Sequence, residues 1–322
     1  MQLSIIIPVY NAENYLCRCF SSIYKQPVPH DCFEVIAVND GSKDNSLKIL
    51  YELQKQYGNV SVIKQENLGV SAARNRGIEE SKGKYVLFLD ADDELTEGSL
   101  CNICDYLGER NIDMLMTRQL IKENGVIKYD NTPPLEENRS YSGVEAYKCG
   151  FVRTNAGGGI CRAEFLRKNN ILFPVGVTNG EDSIFFALVQ VYAQSLVFYN
   201  LPVYLINVIS DSATRNNDSS KGKKLINSIK TARYIKDTIE AKDEQKGVFE
   251  YALYQLISNT IAFYSQSRGL SYRSFIKSID MSKVLPLDVS HMYMMRRKAQ
   301  ILNFSFPLFY FLSWIKNYKR VV

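Results

Sequence analysis

Three carboxylates fall within four residues at Asp90-Ala91-Asp92-Asp93, directly after the apolar run Tyr85-Val86-Leu87-Phe88-Leu89. Acidic side chains so close repel one another unless a cation, hydrogen bonds or water compensates them. Mg²⁺ and Mn²⁺ take one or two carboxylates and fill their remaining positions with water and phosphate oxygens, so the loop suits a site beside a diphosphate. It reads equally as an exposed acidic turn ahead of a helix beginning near Thr96. Two more apolar runs end in polar tips, Pro8-Val9-Tyr10-Asn11-Ala12-Glu13 and Asn39-Asp40-Gly41-Ser42. Any one of these tips is an ordinary turn or helix cap. Three at strand ends describe the crevice in which open α/β sheets bind ligands. A fourth acidic element, Glu181-Asp182, follows Gly180 and opens a stretch with an apolar face. It is either a helix start favoured by the macrodipole or the source of a general base for a poor nucleophile such as a hydroxyl.

Several chemistries are disfavoured by the same inspection. No Gly-x-Gly-x-x-Gly follows the first apolar run. The stretch Gly77 to Lys84 is one residue too long for a P-loop, has Tyr85 where Ser or Thr belongs, and leads into a strand. Cys101 and Cys104 have zinc or redox spacing, but no second pair accompanies them, and the histidines are His30 and His291 alone. The 7 cysteines are odd in number and scattered, which predicts a reducing, cytoplasmic setting. A net charge of +5 is modest, and the basic residues flank an apolar segment near the C-terminus without forming a stripe, so nucleic acid is not an expected partner.

The elements that must position these groups follow from periodicity. Ser4-Ile7, Phe33-Val38, Val60-Ile63 and Tyr85-Leu89 read as strands, separated by helical spacing over residues 14–25, 45–57 and 70–81, the pattern of βαβ units in a parallel sheet. Met1 to Pro8 has neither a basic leader nor a long apolar core, so it reads as a buried first strand. Further on, helices are expected from Thr96 to about Arg110, over Arg162–Asn169 and after Gly180, with strands near Leu196–Tyr199 and Val203–Val208. Gly157-Gly158-Gly159 is either a close backbone approach near an acceptor or a flexible connection. Beyond Lys221 only helical periodicity remains.

In order and approximate spacing, Pro8-Val9-Tyr10-Asn11, Asn39-Asp40-Gly41-Ser42-Lys43-Asp44, Asn67-Leu68-Gly69-Val70-Ser71-Ala72-Ala73-Arg74-Asn75, Leu89-Asp90-Ala91-Asp92-Asp93 and Glu181-Asp182 resemble glycosyltransferase family 2 over roughly residues 1 to 215. The resemblance implies an α/β fold of the GT-A type: a Rossmann-like, mostly parallel sheet flanked by helices, with a C-terminal helical appendage. It divides the chain into a catalytic domain, 1–215, and a helical region, 216–322. The former comprises a nucleotide-binding half (1–95) and an acceptor-facing half (96–215). It further implies that Pro8, Tyr10, Asp40, Asn67 and Arg74 surround the nucleotide, with Glu13 nearby, and that Asp90, Ala91 and Asp92 meet the donor. Asp92 would be the principal ligand of Mn²⁺ or Mg²⁺, and Asp90 a second. Asp182 matches the catalytic base of an inverting transferase. Asp93 receives no role from the family, and Arg215 is either a diphosphate contact or a solvated charge.

A downstream Gln-x-x-Arg-Trp is missing, since Trp314 is the sole tryptophan, and single-sugar transfer is the expectation. Expected partners are a nucleotide-diphosphate sugar, with UDP preferred, and a glycan or lipid-linked glycan acceptor in bacterial surface polysaccharide synthesis. A second copy of the chain would join them in a homo-oligomer. Two readings of other kinds stand beside this one: a catalytically silent nucleotide-sugar-binding or scaffold protein, and a metal-dependent nucleotidyltransferase.

After Asp288 no acidic residue occurs, whereas Arg296, Arg297, Lys298, Lys316, Lys319 and Arg320 bracket the aromatic run Ile301 to Ile315. The run is shorter than the roughly 20 apolar residues of a spanning helix. It is expected to lie on the inner face of a membrane with its basic flanks on anionic headgroups. The alternative is docking of Leu308, Phe309, Leu312 and Ile315 onto the catalytic domain or a second subunit.

Overall fold

The first strand is apolar on both sides, which requires cover on both faces. In the computed structural model, which describes residues 1–129, 133–177, 179–208, 219–238, 242–266, 285–290, 292 and 295–318, it receives that cover from βαβ units. The order is β1 (Leu3–Val9), α1 (Leu16–Tyr24), β2 (Phe33–Asp40), α2 (Ser46–Gln56), β3 (Val60–Gln65), α3 (Val70–Glu80) and β4 (Tyr85–Phe88). Alternation along β1 sends Leu3, Ile5, Ile7 and Val9 into one core with Leu16, Cys19, Phe20 and Ile23 of α1. Strands β3, β2, β1 and β4 lie side by side and parallel, as the periodicity predicts.

Beyond β4 the sheet becomes mixed. The chain continues through β5 (Glu94–Leu95), α4 (Ser99–Leu107), β6 (Met114–Glu123), β7 (Val126–Tyr129), β8 (Ser140–Tyr141), α5 (Gly143–Lys148), β9 (Gly159–Arg162), α6 (Ala163–Lys168) and, after an intervening helix, β10 (Leu196–Asn207). The full path is β3-β2-β1-β4-β9-β6-β10-β5, with β7 on β6 and β8 on β10. Strand β9 runs antiparallel to β4 and to β6, and β6 runs parallel to β10.

Sequence periodicity passed over β6, β7 and β9. Strand β6 turns into β7 at Asn124-Gly125, both with positive φ, the two-residue hairpin signature. Strand β9 occupies the place where a helix was expected to begin at Arg162; the helix starts one residue later. The two strands expected at 196–208 are one, β10, interrupted by irregular register around Pro202, which has no N–H for the ladder. The helix expected from Thr96 also starts later: Gly98 holds the N-cap position of α4, and the Thr96 carbonyl accepts from the Ser99 amide and hydroxyl.

Two compact units result, and each is discontinuous in sequence. The first, residues 1–143, 155–176 and 193–210, contains the whole sheet. The second, residues 144–154, 177–192 and 211–322, contains α7 (Glu181–Tyr192), α8 (Ser219–Thr238), α9 (Asp243–Gln266), α10 (Arg296–Phe304) and α11 (Phe306–Tyr318). Its core joins Ile184, Ile229, Leu253 and Ile257 to Leu302, Phe306, Phe309 and Tyr310.

The C-terminal run is therefore two helices, parted at Ser305, whose backbone is extended. Phe309 packs into the second unit's own core, whereas Leu308 and Leu312 are exposed, together with Ile301, Phe304 and Phe311. The basic residues Arg296, Arg297 and Lys298 are exposed as well. The side chains of Trp314, Ile315 and Lys316, and the residues Lys319, Arg320 and Arg215, lie outside the described residues. Among the described residues no helix is long and apolar enough to cross a membrane.

Candidate active site

The polar tips of β1 and β2 are laced together. The Asn11 amide donates to Ser42 Oγ at 3.1 Å, and its side-chain oxygen accepts from the Lys43 amide at 2.8 Å. The Ala12 amide donates to Ser46 Oγ at 2.8 Å. Glu13 reaches across to α2, where its Oε2 accepts from the amide and the side chain of Asn45, both at 2.8 Å. In return the Glu13 amide donates to Asp44 Oδ2 at 3.1 Å. Burial alone would raise the Asp44 carboxyl, but hydrogen bonds from Ser46 and Glu13 outweigh it and hold the group below its ordinary range. Glu13, expected near the nucleotide, thus ties the first loop to the start of α2.

Asp40 does comparable work at the tip of β2. Only 3% exposed, it accepts from Gln65 Nε2 at 2.8 Å and from the Leu68 amide at 2.9 Å through Oδ1, and from the Gly69 amide at 2.9 Å through Oδ2. The loop carrying Asn67 is drawn over the sheet edge by this one carboxylate. Gly41 permits the approach: its φ is +69°, and a Cβ there would sit 2.8 Å from the Asn67 amide nitrogen. With Asp40 and Glu13 occupied by backbone, the expected nucleotide contacts left facing solvent are Tyr10, 47% exposed, Asn67, also exposed, and the half-buried Pro8.

The acidic loop lies beside these tips. Arg74, 3% exposed on α3, stacks on the Phe173 ring at 5.0 Å and pairs with Asp90 Oδ1 at 2.9 Å. Arg74, expected around the nucleotide, and Asp90, expected at the donor, are therefore brought into direct contact. Ala91 is buried. Arg18 of α1 donates to the Asp92 carbonyl at 2.6 Å and pairs with Glu94 at 3.2 Å. Asp93, 6% exposed, accepts from the Asn207 amide at 2.8 Å. Burial first, then the charges of Asp90 and Asp92, push its carboxyl up to about 8. The half-buried Asp92 is raised by the same causes, burial and then Asp90.

Among the described residues no other residue donates to the Asp92 carboxylate, whereas Asp90 has Arg74 and Asp93 has Asn207. No group of three or more His, Cys, Asp or Glu among the described residues forms a protein cage for a metal. The donor set fits a hard cation that takes Asp92, with Asp90 beside it, and draws its other ligands from water and phosphate oxygens; it does not fit an all-protein site. Arg18, Tyr204 and Asn207, which also brace this loop, were missed by the sequence reading. Tyr204 and Asn207 lie in an apolar strand more than a hundred residues away, and no local pattern marks them.

Asp182 belongs to the second unit. It is the second residue of α7, half-buried, and Ser183 beside it donates from Oγ to the Thr154 carbonyl at 3.2 Å. Gly180, with φ of +90°, precedes the helix as the sequence suggested.

A sheet whose parallel half ends in a laced pair of loops and an acidic turn, followed by a mixed half, has the architecture of a GT-A fold. Residues 4–163 match the model of "Glycosyl transferase family 2", and over those residues the chain carries that family's domain. The chain is 33% identical over 190 residues to poly(ribitol-phosphate) beta-glucosyltransferase of Bacillus spizizenii, an alignment covering 58% of this chain and 29% of that one. In structure it is similar to Staphylococcus aureus TarS 1-349 in complex with UDP-GlcNAc, with a TM-score of 0.73, 20% identity and coverage of 99% and 89% of the two chains. It is also similar to the mannosyltransferase PcManGT of Pyrobaculum calidifontis in complex with GDP-Man and Mn²⁺, with a TM-score of 0.56, 16% identity and coverage of 94% and 87%. The chain spans 29 to 43% of the length of the first curated relatives it matches.

Proposed function

We propose that the protein is an inverting glycosyltransferase that moves a single sugar from a nucleotide-diphosphate sugar, preferably a UDP-sugar, to an acceptor hydroxyl. The observation that carries this reading is the Asp92 carboxylate, raised by burial and by Asp90 and left without a donor among the described residues, beside loops held open at the strand ends. Pro8, Tyr10 and Asn67 would contact the nucleotide. Asp40 and Glu13 would hold the loops that shape its place, and Arg74 would fix Asp90 at the donor. Asp92 and Asp90 would hold a Mn²⁺ or Mg²⁺ ion, which would supply positive charge against that developing on the departing nucleoside diphosphate.

Asp182 is assigned the other half of the chemistry. An acceptor hydroxyl is a weak nucleophile, and a carboxylate within hydrogen-bond reach takes its proton as the bond to the anomeric carbon forms. Attack from the side opposite the leaving group inverts that carbon. The acceptor is read as a surface glycan or its lipid-linked precursor, a choice supported by the poly(ribitol-phosphate) relative, and the place of work as the cytoplasmic face of a membrane. For the latter, support comes from exposed Phe304, Leu308, Phe311 and Leu312 near exposed Arg296, Arg297 and Lys298, an arrangement suited to an anionic lipid surface.

The test is Asp182→Asn assayed for sugar transfer and for slow hydrolysis of UDP-sugars with Mn²⁺. Turnover should disappear while donor affinity, measured calorimetrically, stays within a fewfold of wild type. Transfer at the wild-type rate would remove the base assignment. Pyrophosphate release from a nucleoside triphosphate by the wild-type protein would replace the reading with nucleotidyl transfer.

A further inference from the structure

The acidic loop is held from a distance. Tyr204, 2% exposed on β10, accepts the Asp90 amide proton at 3.0 Å, with its hydroxyl beside the Asp93 carboxyl. Three residues on, Asn207 donates its backbone amide to Asp93 at 2.8 Å. Its side-chain amide donates to the Asp92 carbonyl at 3.2 Å and to Glu94 Oε1 at 3.1 Å. The same stretch pairs with β5, Tyr204 opposite Leu95 and Leu205 opposite Glu94. Gly157 packs on one side of the Tyr204 ring, so closely that a Cβ there would lie 2.9 Å from its Cδ1.

Within the acidic loop, the groups these residues grip belong to Asp90, Asp93, Glu94 and the carbonyl of Asp92. The Asp92 carboxylate alone among the loop's acids is left without a donor from another described residue. Gripping the neighbours on both sides fixes the direction in which that carboxylate leaves the loop. Precision of this kind matters where a ligand must sit within a few tenths of an ångström. For a loop with a capping task alone, water would satisfy Asp93 as well, without burial of the acid.

We propose that Tyr204 and Asn207 are positioning residues, which clamp Asp93 and the backbone of the acidic loop so that the Asp92 carboxylate is presented to a divalent cation on the donor diphosphate. Asp93 is then the anchor of the loop and not a ligand. This rests on the reading of Asp92 as the metal-side carboxylate, and it gives a role to an acid for which the family resemblance supplies none.

The experiment is calorimetric titration of UDP into full-length wild type, Tyr204→Phe and Asn207→Ala, each with and without Mn²⁺. The readout is the ratio of the two affinities for each protein. A general loss of structure lowers both affinities, whereas a misdirected Asp92 lowers only the manganese-dependent gain. Tyr204→Phe keeps the ring and removes one oxygen. Asn207→Ala keeps the backbone bond to Asp93 and removes the two side-chain bonds, and it carries the test if the buried tyrosine variant does not fold. The expected result is metal-free affinity within about twofold of wild type and a gain from Mn²⁺ reduced tenfold or more. A full gain in a folded variant overturns the clamp while leaving Asp92 as ligand. No gain in the wild-type protein overturns the metal assignment, and the purpose of the clamp with it.

Discussion

Replacing Asp40 should detach the loop that carries Asn67, and the size of the effect follows from its three hydrogen bonds. Asp40 accepts from Gln65, Leu68 and Gly69 at 2.8 to 2.9 Å. A hydrogen bond to a charged group contributes about 1.5–3 kcal/mol net. These donors sit on a partly exposed loop, where water recovers part of that value, so Asp40→Ala is expected to cost about 3 kcal/mol, less than the roughly 4.5 kcal/mol minimum that three fully counted bonds would sum to. Asp40→Asn keeps an acceptor for Gln65 and Leu68 but turns a donor toward the Gly69 amide, and its cost is about 1.5 kcal/mol. Since 1.4 kcal/mol is tenfold in an equilibrium, opening of the loop in the alanine variant should rise by about a hundredfold. Urea denaturation measures the first quantity, and amide hydrogen exchange at Leu68 and Gly69 the second. UDP affinity should fall in the same rank order, alanine below asparagine. If the alanine variant lost less than about 1 kcal/mol, or if its Leu68 and Gly69 amides kept wild-type exchange, the carboxylate would not be what holds the loop.

Three other outcomes are expected. Gly41→Ala must adopt φ of +69° with its Cβ 2.8 Å from the Asn67 nitrogen, so a loss of about 2 kcal/mol or more in denaturation should accompany weaker UDP binding. In the native protein at pH 8, iodoacetamide should label the exposed Cys17 and Cys149 and spare Cys19 and Cys104 until denaturant is added, as read by mass spectrometry. Burial, reinforced by the acidic loop, pushes the Cys19 thiol well up, and mainly burial pushes Cys104 up to about 12, so raising the pH to 9 still leaves both without thiolate. Paired Phe304→Asp and Phe311→Asp changes alter exposed positions, and they should abolish sedimentation with phosphatidylglycerol vesicles at an unchanged melting temperature. Continued sedimentation would discard the lipid-facing assignment.

Local chemistry made much of this protein legible. The runs Leu3–Val9, Phe33–Asp40 and Tyr85–Phe88 are β-branched and aromatic enough to be strands wherever they lie, and their polar ends mark the loops where a ligand meets a parallel sheet. The motif order announced family 2 because each motif is short and contiguous. What the chain could not reveal along its length was the partner of each acid. Asp40 and Glu13 were expected at the nucleotide, and they hold backbone of neighbouring loops.

The amino-acid order by itself determined the parallel half of the sheet, the acidic turn after β4 and the family, all of which are written in short contiguous runs. Tertiary structure alone decided the mixed half, where β9 is inserted between β4 and β6, and the split of the C-terminal run into a docked and an exposed face. It also decided that Tyr204 and Asn207 brace an acidic loop 114 residues earlier in the chain. The physical reason is common to all three. Hydrogen bonds and burial are satisfied by whichever groups packing brings near, and periodicity reports which face of an element is apolar but not which neighbour will cover it.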